Sequence, residues 1–215
     1  MRRDSILERL VSLNSGGRIS DENTPGQDYF LRVLQSMREV AIREEYRRDR
    51  VVSEQNYLSF YPVYDKDINA GCEDLYKYEC PRPLRIDSVM SGFGYVGQEH
   101  GRGAFQFYPS PDAYFNAQRH RVTRAKDVVS AYYDSSEGML WVDKPVKKFL
   151  VRICPQRPED VYTFNVTLDD YPMSMKSIEI MEEFLRNGTI GYILRTPPNK
   201  VSNSQDDKHV NIANE

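Results

Sequence analysis

The sequence predicts an α+β fold, with helices near both ends of the chain, a β-rich middle and a C-terminal tail. Apolar residues recur at helical spacing within 1–50 and 170–196. Residues 51–169 instead contain short runs rich in Tyr, Phe, Val and Ile, interrupted by Pro, Gly and Asp, which is typical of strands and turns. Residues 197–215 are mostly polar. We therefore expect one α+β domain over 1–196 and a tail over 197–215.

Two helices are predicted near the N-terminus. Asp4 to Leu13 places its apolar residues on one face. A longer helix follows Thr24 and Pro25, which suit an N-cap and a first helical position, and its apolar stripe runs from Phe30 to Ala41. The charges of Arg43 to Arg50 alternate in sign. That pattern favours a solvated, salt-bridged helix end, and a phosphate clamp is the alternative.

The middle of the chain is expected to consist of short strands. The candidates are 57–63, 75–79, 84–90, 105–108, 128–133, 139–142 and 149–154. Asp134 to Gly138 separates two of them as a hairpin loop, and 112–117 is expected to form one or two helical turns. Apolar and polar residues alternate over 161–168, which indicates a half-buried strand or, alternatively, an extended loop.

A C-terminal helix is predicted to open at Pro172 and Ser174 and to end at Asn187-Gly188. Residues 189–195 are apolar but ambiguous in structure. Beyond Pro197 the aliphatic residues are few, and a tail that cannot bury itself is either disordered or ordered by a partner.

Composition narrows the class of protein. The chain has 29 basic and 32 acidic residues, a net charge of −3, so as a whole it does not attract nucleic acid or an anionic membrane. Its three cysteines form no CxxC pair, and no run approaches the roughly 18 apolar residues of a membrane span. These features indicate a reduced, cytosolically made protein. The 15 tyrosines suit extensive interfaces or strands equally well.

The stretch GFGYVG, from Gly92 to Gly97, has the spacing of a dinucleotide-binding fingerprint. That fingerprint needs a helix directly after the glycines, and the following QEHGRG cannot readily start one. We therefore expect a surface hairpin or lid, which Phe93, Tyr95 and Val96 attach to a core.

Patterns that carry chemistry are scarce. None of the three histidines has metal-ligand spacing, and no metal or cofactor is expected. Glu99, His100 and Arg102 place an acid, a base and a cation in one loop, which leaves a small intracellular enzyme as one alternative. Arg119 to Arg124 is the densest basic stretch, which leaves a nucleic-acid-binding module as another.

The layout of most of the chain resembles the head-to-tail connector, or ring, proteins of tailed phages, in particular the crAss-like podovirus type. The resemblance covers the long helix DYFLRVLQSMREVAIREEY (28–46), the strand QNYLSFYPVYD (55–65) and the stretch PLRIDSVMSGFGYVG (83–97). It continues in AYYDSSEGMLWVDKPVKKFLVRICPQRPEDV (131–161) and DYPMSMKSIEIMEEFLRNGTIGYILRTPPNKVSN (170–203).

The resemblance implies a small helical bundle, made of the N-terminal short and long helices and the C-terminal helix, with a central antiparallel β-rich lobe and an extended C-terminal tail. It implies a non-enzymatic adaptor of which about twelve copies form a ring. Such a ring docks under the portal protein, contacts other tail ring proteins and passes double-stranded DNA without sequence-specific binding. The expected location is the virion neck or tail, after synthesis in the host cytoplasm. A ring lower in the neck stack is the runner-up.

The resemblance also suggests which side chains meet neighbours. The expected interface residues are Tyr57, Phe60, Tyr61, Phe93, Tyr95, His100, Arg102, Pro197, Pro198, Val210 and Ile212. Those expected to face DNA are Arg119, Arg121 and Arg124. We expect the tail to reach onto a neighbouring subunit or the portal and to gain order on contact.

Overall fold

The computed structural model describes residues 1–14, 27–64, 75–87, 92–99, 103–120 and 128–187. Within them, the chain forms in order α1 (Arg3–Asn14), α2 (Gln27–Asp49), β1 (Leu58–Phe60), β2 (Tyr76–Glu79), β3 (Phe93–Gly97), β4 (Gln106–Tyr108), α3 (Pro111–His120), β5 (Ser130–Asp134), β6 (Met139–Val142), β7 (Leu150–Ile153) and α4 (Met175–Arg186). Short 3₁₀ turns occupy Glu54–Asn56 and Pro158–Asp160. The predicted α+β class is confirmed.

Helices α1, α2 and α4 pack into a bundle around one apolar core. Its buried members include Ile6, Leu10, Leu34, Met37 and Met181. The apolar stripes predicted from helical spacing supply these residues, and their burial holds the three helices together.

The predicted start of the C-terminal helix is confirmed, because Ser174 caps α4 by accepting a hydrogen bond from the Ser177 N–H at 3.0 Å. The predicted cap of α2 at Thr24 and Pro25 lies outside the described residues.

The β-lobe contains two sheets that share a core. The three-stranded sheet has the order β1-β7-β3 and is antiparallel, with Phe60 opposite Val151. The four-stranded sheet has the order β2-β6-β5-β4 and is antiparallel except that β4 runs parallel to β5. Buried Tyr78 and Phe149 meet between the sheets with ring centroids 4.9 Å apart. The hairpin predicted over Asp134 to Gly138 joins β5 to β6.

The strand predicted over 84–90 is wrong for the part that the structure describes. Residues 83–87 make an isolated bridge between Pro83 and Pro155 instead of a continuous ladder. Pro81 and Pro83, which directly precede the predicted strand, lack a backbone N–H, so a ladder cannot extend into it from that side. Leu84 keeps one such bond, donating to the Cys154 carbonyl at 2.7 Å.

The strand alternative for 161–168 is also wrong, because this segment forms consecutive turns. The Asn165 side chain accepts from the Thr167 N–H at 3.0 Å, and the Asn165 N–H donates to the Asp169 carboxylate at 2.7 Å. Such local side-chain bonds compete with a strand ladder. Tyr162, one of the apolar residues that alternate with polar ones over 161–168, is 60% exposed, whereas neighbouring Val161 is buried.

The glycine-rich motif forms strand β3, and the expected hairpin is supported there by an antiparallel bridge between Gly97 and Ala104, with Val96 buried in the core and Phe93 packed against it. A turn follows, closed by a bond from the Gln98 N–H to the Gly103 carbonyl at 3.2 Å. A Cβ at Gly97 would lie 2.7 Å from that same carbonyl, and one at Gly94 would lie 2.9 Å from the Tyr57 ring. The glycines therefore permit close packing of the backbone, not phosphate binding.

The buried face of α2 carries a charged residue that joins the bundle to the β-lobe. Arg38 is 1% exposed. Its guanidinium donates to the carbonyl oxygens of Pro155 at 2.7 Å, Pro172 at 3.0 Å and Asn56 at 3.3 Å. One side chain thus satisfies backbone acceptors from three separate segments.

Glu45, two turns further along α2, is its buried counterpart. Its carboxylate accepts from the Ser53 N–H and the Asn56 amide, each at 3.0 Å, from the Ser174 hydroxyl at 2.7 Å, and from the Ser177 hydroxyl. Burial raises the pKa of Glu45, but these hydrogen bonds outweigh burial and hold the pKa below its ordinary value. We call Arg38, Glu45 and their partners the polar junction.

Candidate functional site

The loop proposed for an enzyme is described only at Glu99. Its carboxylate accepts a hydrogen bond from the Tyr61 hydroxyl and lies 3.3 Å from the Lys148 ammonium, which also stands 4.2 Å from the Tyr61 ring centre. The hydrogen bond to Glu99 raises the pKa of Tyr61. Both His100 and Arg102 lie outside the described residues. Glu99 therefore contributes to a surface cluster with a tyrosine and a lysine.

Aromatic and aliphatic side chains are exposed where the two sheets meet. We call residues 61–64 together with Tyr162 the edge strip. It continues β1, the outer strand of one sheet, and its Tyr64 forms an isolated antiparallel bridge with Tyr78 of β2, the outer strand of the other. Val63 is 61% exposed and Tyr162 is 60% exposed.

The exposed side chains of the edge strip are held in place. The Tyr162 hydroxyl donates to the Tyr61 carbonyl, and the Tyr162 ring meets the edge of the Phe60 ring with centroids 6.1 Å apart. Fixed aromatic side chains lose little entropy when a partner covers them, which is a property of interface residues.

A second exposed surface lies at the other edge of the four-stranded sheet. Helix α3 packs on β4 and β5, with buried Tyr114 4.8 Å from the Tyr132 ring. Its outer side, which we call the α3 face, carries Asp112, Phe115, Asn116 and Arg119. Phe115 is 46% exposed, although its ring lies 5.9 Å from that of Tyr132. Arg119, expected to face DNA, is exposed here.

The remaining expected interface residues are partly used within the subunit. Phe60 is 1% exposed, and the Phe93 ring packs 4.5 Å from that of Phe107. Half-buried Tyr57 lies 4.8 Å from the Arg152 guanidinium, and burial raises its pKa to about 12. The Tyr95 hydroxyl donates to the Gln98 carbonyl at 2.8 Å. Expected site residues outside the described ranges are His100, Arg102, Arg121, Arg124, Pro197, Pro198, Val210 and Ile212.

The sequence did not lead us to expect that the aromatic or aliphatic side chains of Val63, Phe115 and Tyr162 are exposed. Phe115 had a usable signal, because 112–117 was predicted to be helical, and apolar Tyr114 and Phe115 are adjacent, so one of them faces away from the sheet. Val63 and Tyr162 had none, because their exposure depends on where the sheets end.

Within the described ranges, no helix combines the length and apolar character needed to cross a membrane. The same ranges contain no cluster of three or more His, Cys, Asp or Glu side chains placed to hold a metal ion. The thiols of Cys80 and Cys154 are buried, and burial raises the pKa of each.

No protein family model matches this chain, and no curated protein matches it significantly.

Proposed function

We propose that this protein is a non-enzymatic virion subunit of the phage neck. Copies of it form a ring between the portal and the tail, and double-stranded DNA passes through the ring. The resemblance of the sequence layout to head-to-tail connector proteins suggests this class. One structural observation carries the proposal: two different exposed aromatic surfaces, the edge strip and the α3 face, lie at opposite edges of the same four-stranded sheet.

Two unlike surfaces on opposite sides of a subunit suit a head-to-tail contact. If the edge strip of one copy packs on the α3 face of the next, each added copy leaves one surface of each kind free, and the series closes into a ring when the rotation between copies permits. The edge strip is suited to this because it continues an outer strand and carries tyrosine, a residue enriched in interfaces.

The charge of the chain agrees with a DNA conduit. A lumen that bound phosphates strongly would hold the DNA, and a net charge of −3 opposes such binding. Arg121 and Arg124 are the residues proposed to face the DNA, whereas Arg119 belongs to the α3 face and is proposed to contact the neighbouring subunit. Residues 197–215 are proposed to contact the portal or a neighbouring subunit. A ring lower in the neck stack would use the same two surfaces.

The proposal is tested with Val63→Asp and Phe115→Asp, one change on each surface. Burying a charge at a packed interface costs about 1–3 kcal/mol or more of binding free energy. The affinity between subunits therefore falls about several-fold to several-hundred-fold. Each variant is therefore expected to lose the high-order species of the wild type in mass photometry, alone and with portal rings. Val51→Asp is the matched control, because Val51 is 63% exposed and lies outside both surfaces.

Mixing the two variants distinguishes a head-to-tail contact from a symmetric one. A Val63→Asp copy retains an intact α3 face, and a Phe115→Asp copy retains an intact edge strip. We expect the mixture to form heterodimers but no rings. Assembly of either variant as in the wild type, or a wild-type chain that remains monomeric even with portal rings, contradicts the proposal.

A further inference from the structure

A cleft of about 420 Å³ lies where α2 ends and meets the segment 83–87. Its lining includes four arginines, Arg43, Arg47 and Arg50 from the end of α2 and Arg85 from the segment, with Tyr46 and Ile86 between them. The edge strip and the α3 face contain none of these residues, so the cleft is a separate feature of the surface.

Two of the four guanidinium groups are committed to partners within the protein. Arg43 pairs with Glu39 at 2.5 Å and donates its Nε–H to the Arg85 carbonyl at 2.8 Å, which ties the segment to α2. Arg47 lies 3.6 Å from Glu44. This agrees with the salt-bridged helix end that alternating charge predicts.

Among the described residues, the guanidinium groups of Arg50 and Arg85 have no hydrogen-bond or ion-pair partner. Each is exposed and each lines the cleft. Asp87, the carboxylate that also lines the cleft, has an interaction of its own. The cleft therefore presents two forked donors, each with five N–H groups and a full positive charge.

The backbone of Arg50 is strained. Arg50 follows α2 with φ of 60°, and its N–H donates to the Tyr46 carbonyl at 2.7 Å, as in a left-handed helix C-cap. Glycine is the preferred residue there, and a β-carbon destabilises the conformation. Among the described residues, no hydrogen bond or ion pair of the Arg50 side chain offsets that strain. Strain of this kind is found where a side chain serves binding.

We propose that this cleft binds a phosphate group, through Arg50 and Arg85. A carboxylate has two oxygens, which one guanidinium fork satisfies, whereas a phosphate has enough oxygens to accept from two forks at once. The Arg43 bond to the Arg85 carbonyl holds the two elements that carry these forks against each other. The negative end of the α2 dipole opposes an anion here, but only weakly compared with charge-assisted hydrogen bonds.

The phosphate group can belong to a free anion or to the backbone of a nucleic acid duplex. Both ligands present the same phosphate oxygens to the cleft. The volume of the cleft exceeds that of a single phosphate and leaves room for either. The site depends on one subunit only, so it stands whether or not the protein assembles into a ring.

The test measures binding of inorganic pyrophosphate and of a short DNA duplex to the full chain at low ionic strength. The variants are Arg50→Gly and Arg85→Gln. Arg50→Gly is informative because glycine suits the left-handed conformation, so the variant is expected to fold with an unchanged or higher Tm. Arg48→Gln is the matched control, because Arg48 pairs with Glu44 and Glu183 and does not line the cleft.

Pyrophosphate is expected to bind the wild type with Kd of about 1 mM or tighter, and each cleft variant is expected to weaken it about tenfold. The control is expected to match the wild type. If a duplex is the source, each cleft variant also lowers duplex affinity and reduces the slope of log K against log salt by about one. If a free anion is the source, only pyrophosphate binding changes.

Three outcomes would overturn the proposal. Pyrophosphate does not bind at about 10 mM; Arg50→Gly binds it as tightly as the wild type; or a glutamate-rich peptide binds in the cleft while pyrophosphate does not. Loss of ring assembly in the surface variants Val63→Asp or Phe115→Asp has no bearing on any of these measurements.

Discussion

Replacing Glu45 with alanine is expected to destabilise the fold by about 3 kcal/mol or more, because hydrogen bonds to a charged group contribute about 1.5–3 kcal/mol each and several are lost together. The change leaves the Asn56 amide and the hydroxyls of Ser174 and Ser177 without their common acceptor. Chemical denaturation followed by circular dichroism measures the loss as a fall in the free energy of unfolding.

Glu44→Ala is the matched control for that prediction. Glu44 is the preceding residue of α2, and its partners are Arg47 and Arg48 on the surface. Surface ion pairs contribute about 0–1 kcal/mol, so this variant is expected to cost no more than that. A Glu45→Ala variant as stable as Glu44→Ala would show that the polar junction does not hold the bundle to the β-lobe.

Acid is expected to weaken the polar junction. The folded-state pKa of Glu45 lies below its ordinary value of 4.5, so the ionised carboxylate stabilises the fold above about pH 4.5, and this stabilisation is lost as the pH falls through the folded-state pKa. Glu45→Gln removes this titration. The free energy of unfolding of the wild type is therefore expected to fall more steeply with acid than that of the variant. Parallel pH profiles would contradict the assignment.

Gly92→Ala is expected to cost about 1–3 kcal/mol or more. A Cβ at Gly92 would lie 2.6 Å from the Leu84 carbonyl oxygen and 2.8 Å from that of Cys154. Both atoms belong to backbone, and the two segments are already tied by the Leu84 N–H bond to Cys154 at 2.7 Å. Neither can withdraw without breaking a hydrogen bond. Thermal and urea unfolding measure the effect.

Gly94→Ala, two residues further along and within β3, tests the reason for that cost. A Cβ at Gly94 would meet the Tyr57 ring at 2.9 Å, which is a side chain able to move. This variant is expected to cost less than Gly92→Ala. Equal costs would indicate that the loss comes from strand propensity and not from the close approach of backbone at Gly92.

Local sequence patterns were sufficient to predict the elements that are stabilised by residues close to one another in the chain. The Ser174 cap lies three residues before the Ser177 N–H that it accepts from, and the Asp134 to Gly138 turn closes within a few residues, with Gly138 at a φ of 71°. Helical spacing likewise predicted the apolar stripe of α2, because all its members lie on one element.

Sequence reasoning failed where a distant partner decides the outcome. Arg38 interrupts the apolar stripe of α2, which was an available signal, whereas Glu45 is buried within the helix end that alternating charge predicted to be solvated. The hydrogen-bond partners of both residues come from 53–56, 155 and 172–177. The segments 84–87 and 161–168 have strand-like composition, yet the first follows Pro81 and Pro83 and makes no continuous ladder, and local side-chain bonds prevent one in the second. The run from Arg43 to Arg50 mixes both signs of charge, and only the folded structure shows that Arg43, Arg47 and Arg48 have ion-pair partners while Arg50 has none among the described residues.

By itself, the sequence determined the α+β class, the places where the bundle helices lie, and the positions of most strands, because hydrophobic periodicity and caps act over a few residues. Only the tertiary structure decided which strands lie at the sheet edges, why GFGYVG needs its glycines, and that Arg50 and Arg85 share a cleft. Each of those depends on residues far apart in the chain approaching within a few ångströms, and composition and spacing carry no information about that distance.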